Sequence, residues 1–168
     1  MPTGLQFFTG FHTALSLVAL AYGVPAILNL FPRYRYPMIY TTIFIILAFL
    51  STFTGFFFPF HGFTPAIGVG IIVMVLFTVM YVAYKRGLTG PWRWLFALGL
   101  VGNEFFLVFV TIAQSFQKIA YLHHFAPTGA EPPFAIAEGI NLAIFAVIGI
   151  AAAIKFQPFG KNKTYKLC

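Results

Sequence analysis

The stretch AIGVGIIVMVLFTVMYVAY, residues 66–84, contains no charged side chain and decides the fold class. At about 1.5 Å per residue, a helix of this length crosses the hydrocarbon core of a bilayer, which is about 30 Å thick. Four other stretches are comparably long and apolar. The five predicted spans cover residues 7–31, 37–58, 66–84, 94–116 and 135–154. The sequence therefore predicts an all-α integral membrane protein: one domain over residues 1–168, folded as an antiparallel bundle of five transmembrane helices.

Composition excludes a soluble globular fold. Of the 168 residues, 60% are hydrophobic and only 8% are charged, which is too little polar material to cover a globular surface. The formal net charge of +7 can indicate nucleic-acid binding, but the basic residues lie in short loops and form no continuous face, so no nucleic-acid partner is predicted. The expected partners are the lipid bilayer and either a larger membrane complex or further copies of the chain.

The basic residues divide unevenly between the two sets of loops. Nine of the ten lysines and arginines follow the first, third and fifth spans, and only Lys118 follows the fourth. Because cytoplasmic loops collect Lys and Arg, the N-terminus is predicted to lie outside and the C-terminus in the cytoplasm.

Proline and small residues predict how the helices pack. Pro25 alone lies well inside a predicted span, and it is expected to kink the first helix. Small side chains allow helices to approach closely in lipid. The fifth span carries a stripe of them that predicts a helix contact: Gly139, Ala143, Ala146, Gly149 and Ala153. We expect a compact bundle with no wide pore.

The fourth span carries an acidic residue near the predicted midplane. Glu104 lies about 15 Å from the start of the span at Trp94. A charged carboxylate at that depth is costly, so Glu104 is predicted to be protonated, paired or next to water. Toward the outer loop, polar residues share one face of the helix: Glu104, Thr111, Ser115 and Lys118. This stripe predicts a proton path or a hydrophilic groove; the alternative is a neutral Glu104 hydrogen-bonded to Asn103 or to another helix.

All four histidines lie at or near the predicted outer face. Imidazole ligates zinc, copper and haem iron, and a nearby carboxylate can complete such a site. The candidate ligands for haem, copper or another metal are His12, His61, His123 and His124, with Glu138 as a further cofactor-binding residue. The spacing has no zinc-motif regularity, and adjacent histidines point in different directions. Separate interfacial histidines are therefore the alternative.

Two segments resemble a family of small multi-pass bacterial membrane proteins. They are TGFFFPFHGFTPAIGVG, residues 54–70, and QSFQKIAYLHHFAPTGAEPPFAIAE, residues 114–138. FHTALSLVALAYG in the first span and WRW before the fourth are also similar to that family. The resemblance implies that the two long segments are shared outer connections. It implies no activity, cofactor or catalytic residue. Together with the predicted orientation, the resemblance to bacterial membrane proteins predicts a multi-pass location in the inner (cytoplasmic) membrane of a bacterium.

The sequence leaves three functions open. No nucleotide loop, nucleophile triad or zinc-protease motif appears, so no enzymatic activity is assigned. The favoured hypothesis is an accessory or assembly subunit that binds a larger membrane complex or lipid through its Phe-rich surface. The alternative is a redox or ligand-binding protein that holds haem, a metal or a quinone at the outer face. A further alternative is a proton-linked transporter or channel built on Glu104.

Overall fold

The computed structural model describes residues 3–34, 36–59, 62 and 64–158, and these residues form helices and connections without any strand. The helices are α1 (Thr3–Leu28), α2 (Met38–Gly55), α3 (Pro65–Lys85), α4 (Pro91–Lys118), α5 (Ala120–Phe125) and α6 (Pro132–Lys155). All except α5 are long and apolar enough to cross a membrane. The prediction of an all-α protein with five spans is confirmed at this level.

Prolines mark where three of the long helices begin. Pro65, Pro91 and Pro132 lie in the first turn of α3, α4 and α6, where the missing N–H has no partner to lose. Thr64 caps α3, because its side chain accepts a hydrogen bond from the backbone N–H of Ile67 at 3.4 Å. These three helices therefore start slightly before the predicted spans, because the predicted spans place the three prolines in the loops.

Side-chain hydrogen bonds show that α1 and α2 are antiparallel. Later residues of α1 pair with earlier residues of α2: His12 with Thr54 at 3.0 Å, Ser16 with Ser51 at 2.6 Å, and Asn29, just past the end of α1, with Thr41 at 3.2 Å. These bonds form a polar seam along almost the whole helix pair. Such bonds favour helix association in lipid, where few other partners exist.

The central helix of the bundle is α4, which contacts α1, α2, α3, α5 and α6. Its glycines bring α3 close: a Cβ at Gly99 would lie 2.5 Å from Met80 Cγ, and one at Gly102 would lie 3.0 Å from a methyl carbon of Leu76. Leu100 is completely buried in the same contact region. The position of α4 places its middle turns, including Glu104, inside the bundle.

The predicted small-residue stripe on α6 forms a helix contact only in part. Gly139, Ala143 and Ala146 are exposed. Gly149 of the stripe is buried, and α6 packs on α4 through the face that buries Gly149 and Asn141. Lipid solvates an amide poorly, so burying the polar Asn141 favours this orientation of α6. That effect outweighs the packing that the exposed small side chains would provide.

The two ends of the bundle differ in charge. One end contains the α1–α2 and α3–α4 connections and the end of α6; here lie Arg33, Lys85, Arg86, Arg93 and Lys155, and we call it the basic end. The other end contains the start of α1, the α2–α3 connection and α5, and we call it the α5 end. Lys118 lies at the α5 end, in the last turn of α4.

Candidate functional site: a cavity in the helix bundle

A cavity of about 620 Å³ lies between α1, α2, α3 and α4, toward the α5 end. Along α4, its lining runs from Asn103 in the middle of the helix to Lys118 in the last turn, a length of about 22 Å. Opposite α4, the wall includes small residues such as Ser16, Gly55 and Gly70, and the Phe56 ring lies close against Gly70. The bundle is therefore less compact than the sequence led us to expect.

The cavity wall is mostly apolar, and its chargeable side chains among the described residues lie toward the α5 end. His12, Gln114 and Lys118 line the part nearest the α5 end. Leu17, Val73 and Phe106 line the inner part, next to Asn103. Within the described residues, Lys118 and His12 are the only lining side chains that can carry a charge, and no carboxylate lines the cavity. The arrangement suits a molecule with one polar end and an apolar body.

The hydrogen bonds around His12 determine its tautomer. Thr54 Oγ1 lies 2.8 Å from the Leu50 carbonyl oxygen and 3.0 Å from that of Ser51, so its hydroxyl proton is donated within α2. We therefore assign His12 Nδ1, 3.0 Å from Thr54 Oγ1, as the donor of that bond. In the neutral ring, Nε2 is then an acceptor. Phe58 packs edge-on against the imidazole, with ring centroids 5.1 Å apart.

Most hydroxyl groups of the cavity wall, with the exception of Thr13, donate their protons inside the protein. Several donate to the carbonyl four residues earlier, at 2.7 to 3.0 Å: Thr9 to Leu5, Ser16 to His12, Thr52 to Ala48, Thr111 to Leu107, and Ser115 to Thr111. Because the proton of Ser16 is used in this way, Ser51 donates to Ser16 at 2.6 Å. These hydroxyls retain only acceptor lone pairs for a bound molecule.

Asn103 forms the polar part of the cavity floor and is almost completely buried, at 1% exposure. Its amide Nδ2 lies 2.8 Å from the Gly99 carbonyl oxygen, so this atom is the NH₂ group, and it also lies 3.4 Å from Met80 Sδ. Oδ1 is buried and has no hydrogen-bond partner in the described part of the chain. A buried acceptor without a donor is unusual in a folded protein.

Glu104 is buried beside the cavity but does not line it. Its carboxyl group lies against Gly23 of α1, where a Cβ would overlap the carboxyl atoms. Glu104 makes no hydrogen bond to Asn103, whose amide is turned toward α3, and Glu104 Oε2 has no partner among the described residues. The predicted polar stripe therefore divides: Thr111, Ser115 and Lys118 face the cavity, whereas Glu104 faces α1.

The candidate metal ligands are not brought together among the described residues. His12 lies in the cavity wall, while His123 and His124 are exposed on α5. Glu138 accepts a hydrogen bond from Asn141 Nδ2 at 3.3 Å on α6 and does not line the cavity. Over the described ranges, no three His, Cys, Asp or Glu side chains lie close enough to hold a metal ion. His61 lies outside these ranges.

Glu131 organises the connection between α5 and α6. Its carboxylate accepts hydrogen bonds from the backbone N–H and hydroxyl of Thr128, at 3.1 and 2.9 Å, and from the backbone N–H of Ala130 at 3.1 Å. Slight desolvation raises the pKa of Glu131, but these hydrogen bonds outweigh it, and the net effect is a lowered pKa. Glu131 is therefore ionised at neutral pH and holds this turn.

Sequence reasoning missed Ser16, Ser51 and Thr54. In the sequence, these three residues stand out only as hydroxyl side chains within otherwise apolar stretches. Because serine and threonine often bond to the carbonyl of their own helix, such residues do not reveal their neighbours without the helix pairing.

Comparison with family models, curated proteins and solved structures gave no match for this chain. The resemblance to small multi-pass bacterial membrane proteins therefore stays a prediction.

Proposed function

We propose that this protein binds a lipid-soluble, amphipathic small molecule in the cavity between α1, α2, α3 and α4. The observation that carries the proposal is a cavity of about 620 Å³ with a mostly apolar wall and with His12 and Lys118 toward the α5 end. This volume lies in the range of small-molecule sites, about 300 to 1,000 Å³. Of the hypotheses from sequence, the ligand-binding alternative gains this support, with a lipid-soluble ligand in place of haem or a metal.

The lining chemistry supports a ligand drawn from the bilayer. Phe56, Phe58 and Phe106 offer aromatic surface to an apolar body or a ring. Lys118 and Gln114 offer donors at the mouth, where the polar end of an amphipathic molecule is expected to lie. Leu17 and Phe56 line the cavity and remain 51% and 38% exposed, so part of the cavity wall lies at the surface of the bundle.

Filling the cavity is expected to remove the bound molecule. Val69 lines the cavity, whereas Val75 on the same helix is 56% exposed and does not. In Val69→Trp the indole occupies ligand space, so we expect the ligand that co-purifies with the protein to fall about tenfold, the effect of losing about 1.4 kcal/mol. Organic extraction followed by quantitative mass spectrometry measures the amount per protein.

The matched control is Val75→Trp, which adds the same side chain on the lipid-facing side. It should retain the parental amount of ligand. Equal ligand content in parent, Val69→Trp and Val75→Trp would rule out the cavity as the binding site.

We further propose that the α5 end faces the outside of a bacterial inner membrane, so that the cavity opens toward the outer surface. The support is charge: every described lysine or arginine except Lys118 lies at the basic end. A membrane-impermeant maleimide should label Cys168 only after the membrane is opened. Thr128→Cys in a Cys168→Ser chain should be labelled in intact cells; the reverse pattern would invert the orientation.

The two other functions stay predictions. An accessory or assembly role is compatible with ligand binding, since a bound lipid can stabilise a contact with a larger complex. A proton-linked role for Glu104 requires a water-filled path that leads to its carboxyl group. The support for such a path is weaker than the sequence suggested, because Glu104 faces Gly23 and not the cavity.

A further inference from the structure

The cavity offers many acceptors and few donors to a bound molecule. Wall hydroxyls such as Ser16, Thr111 and Ser115 have already donated their protons to backbone carbonyls. His12 Nε2 is an acceptor in the neutral ring, because Nδ1 donates to Thr54. The donors that remain among the described lining side chains nearest the α5 end are Lys118, Gln114 and the hydroxyl of Thr13. A ligand with only acceptor groups would leave most of these lone pairs unpaired.

An anionic head group suits this wall poorly. Lys118 attracts an anion, but the anion would also face the lone pairs of His12 Nε2 and of the wall hydroxyls, which repel it. A cation suits the lone pairs but meets Lys118 at the mouth. A neutral hydroxyl group satisfies both sets of partners, because its O–H donates and its oxygen accepts.

We propose that the polar end of the ligand is a neutral hydroxyl group on an apolar body, such as a phenol or a quinol, whose O–H donates to His12 Nε2 while its oxygen accepts from Lys118 or Gln114. This inference rests on the proposed function and names the ligand class for the same cavity. Thr54 acts as a positioning residue, since it holds the imidazole in the tautomer that presents an acceptor.

The test uses two probes that differ only in hydrogen-bond donors. Decylubiquinol carries two O–H donors, and decylubiquinone carries none on the same ring and tail. Equilibrium binding to the full chain is measured in nanodiscs of neutral lipid, under anaerobic conditions that keep the quinol reduced. We expect the quinol to bind about tenfold more tightly than the quinone, the effect of one additional hydrogen bond. Palmitate is the anionic comparison and should bind more weakly than the quinol.

Two variants on α2 separate positioning from general damage. Thr54→Val removes the partner of His12 Nδ1, so the imidazole is free to take the other tautomer, and the tenfold preference for quinol should fall toward one. Thr42→Val is the matched control: Thr42 is exposed and bonds only to the Met38 carbonyl of its own helix, so the preference should be kept. The readout is the ratio of two affinities, which a purely structural change would not move.

The outcomes distinguish this inference from the proposed function. Equal binding of quinol and quinone, or tighter binding of palmitate that depends on Lys118, overturns the hydroxyl assignment. If none of the three probes binds while Val69→Trp still loses a co-purified molecule, the ligand class is wrong and the cavity function stands. If Val69→Trp and Val75→Trp also behave alike, the cavity function fails as well.

Discussion

Gly23→Val is expected to destabilise the bundle by about 2 to 3 kcal/mol, because the added side chain overlaps the Glu104 carboxyl group between α1 and α4. Glu104 is 3% exposed, and Leu100, one turn away on α4, is completely buried. The carboxyl group therefore has little space into which it can move. The measurement is the free energy of unfolding of the purified protein, obtained by titrating a bilayer mimic with a denaturing detergent.

The control for this substitution lies on the same helix. A Cβ at Gly10 meets no atom within 4 Å, so Gly10→Val should change the free energy of unfolding by less than about 1 kcal/mol. Removing the obstructing carboxyl group provides a second check. The double variant Gly23→Val with Glu104→Ala should be more stable than Gly23→Val alone. The effects of substitutions at two residues in contact are not additive.

Equal stability of Gly23→Val and Gly10→Val would contradict the contact between α1 and α4 at this depth. It would also contradict the placement of the Glu104 carboxyl group against α1, away from the cavity. The pair therefore tests the helix arrangement on which the cavity depends, independently of any ligand.

Hydropathy was sufficient to predict the five spans, because a helix must hide its backbone polar groups from lipid and needs about 20 apolar residues to cross it. It was also sufficient to place Glu104 near the middle of α4. The ends were less accurate, since Pro65, Pro91 and Pro132 were assigned to loops although they begin helices. The short helix α5 was missed within the connection that carries His123 and His124.

The faces of the helices were much harder to predict. In a soluble protein, polar residues mark the exposed face, but in lipid both faces of a helix are apolar and that signal is lost. The stripe containing Gly139 and Ala143 was therefore assigned to a contact, although both residues are exposed. Glu104 and Asn103 are neighbours in sequence, yet one faces α1 and the other faces α3.

The cavity is a property of several helices at once and has no signature in any single segment. Ser16, Gly55 and Gly70 come from three different helices, and each alone reads as a small residue suited to a tight contact. Only the arrangement of all four helices shows that these residues line a cavity together with Asn103 and Phe106. Thr111, Ser115 and Lys118 could be placed on one side of α4 from helical spacing, but what they face depends on α1, α2 and α3.

Glu104→Lys is expected to have the largest effect of any single charge change in this chain. The site is near the middle of α4 and buried against Gly23, so the longer side chain lacks space and its ammonium group cannot reach either end of the bundle. A lysine at the centre of a membrane helix costs about 3 kcal/mol from charge alone. We expect little correctly folded protein in the membrane fraction, measured by fluorescence-detected size-exclusion chromatography.

Two further variants distinguish the effect of the charge at residue 104 from the effects of side-chain size and of position along α4. Glu104→Gln keeps the size of the side chain without a charge, so its folded yield and its ligand content should stay close to those of the parent. Gln114→Lys adds a lysine to the same helix near the α5 end, where the side chain is exposed, and should cost less than about 1 kcal/mol because the ammonium group reaches the interface. If Glu104→Lys folded as well as Gln114→Lys, Glu104 would have to face water, and both the midplane position of this residue and the contact of α4 with α1 would be wrong.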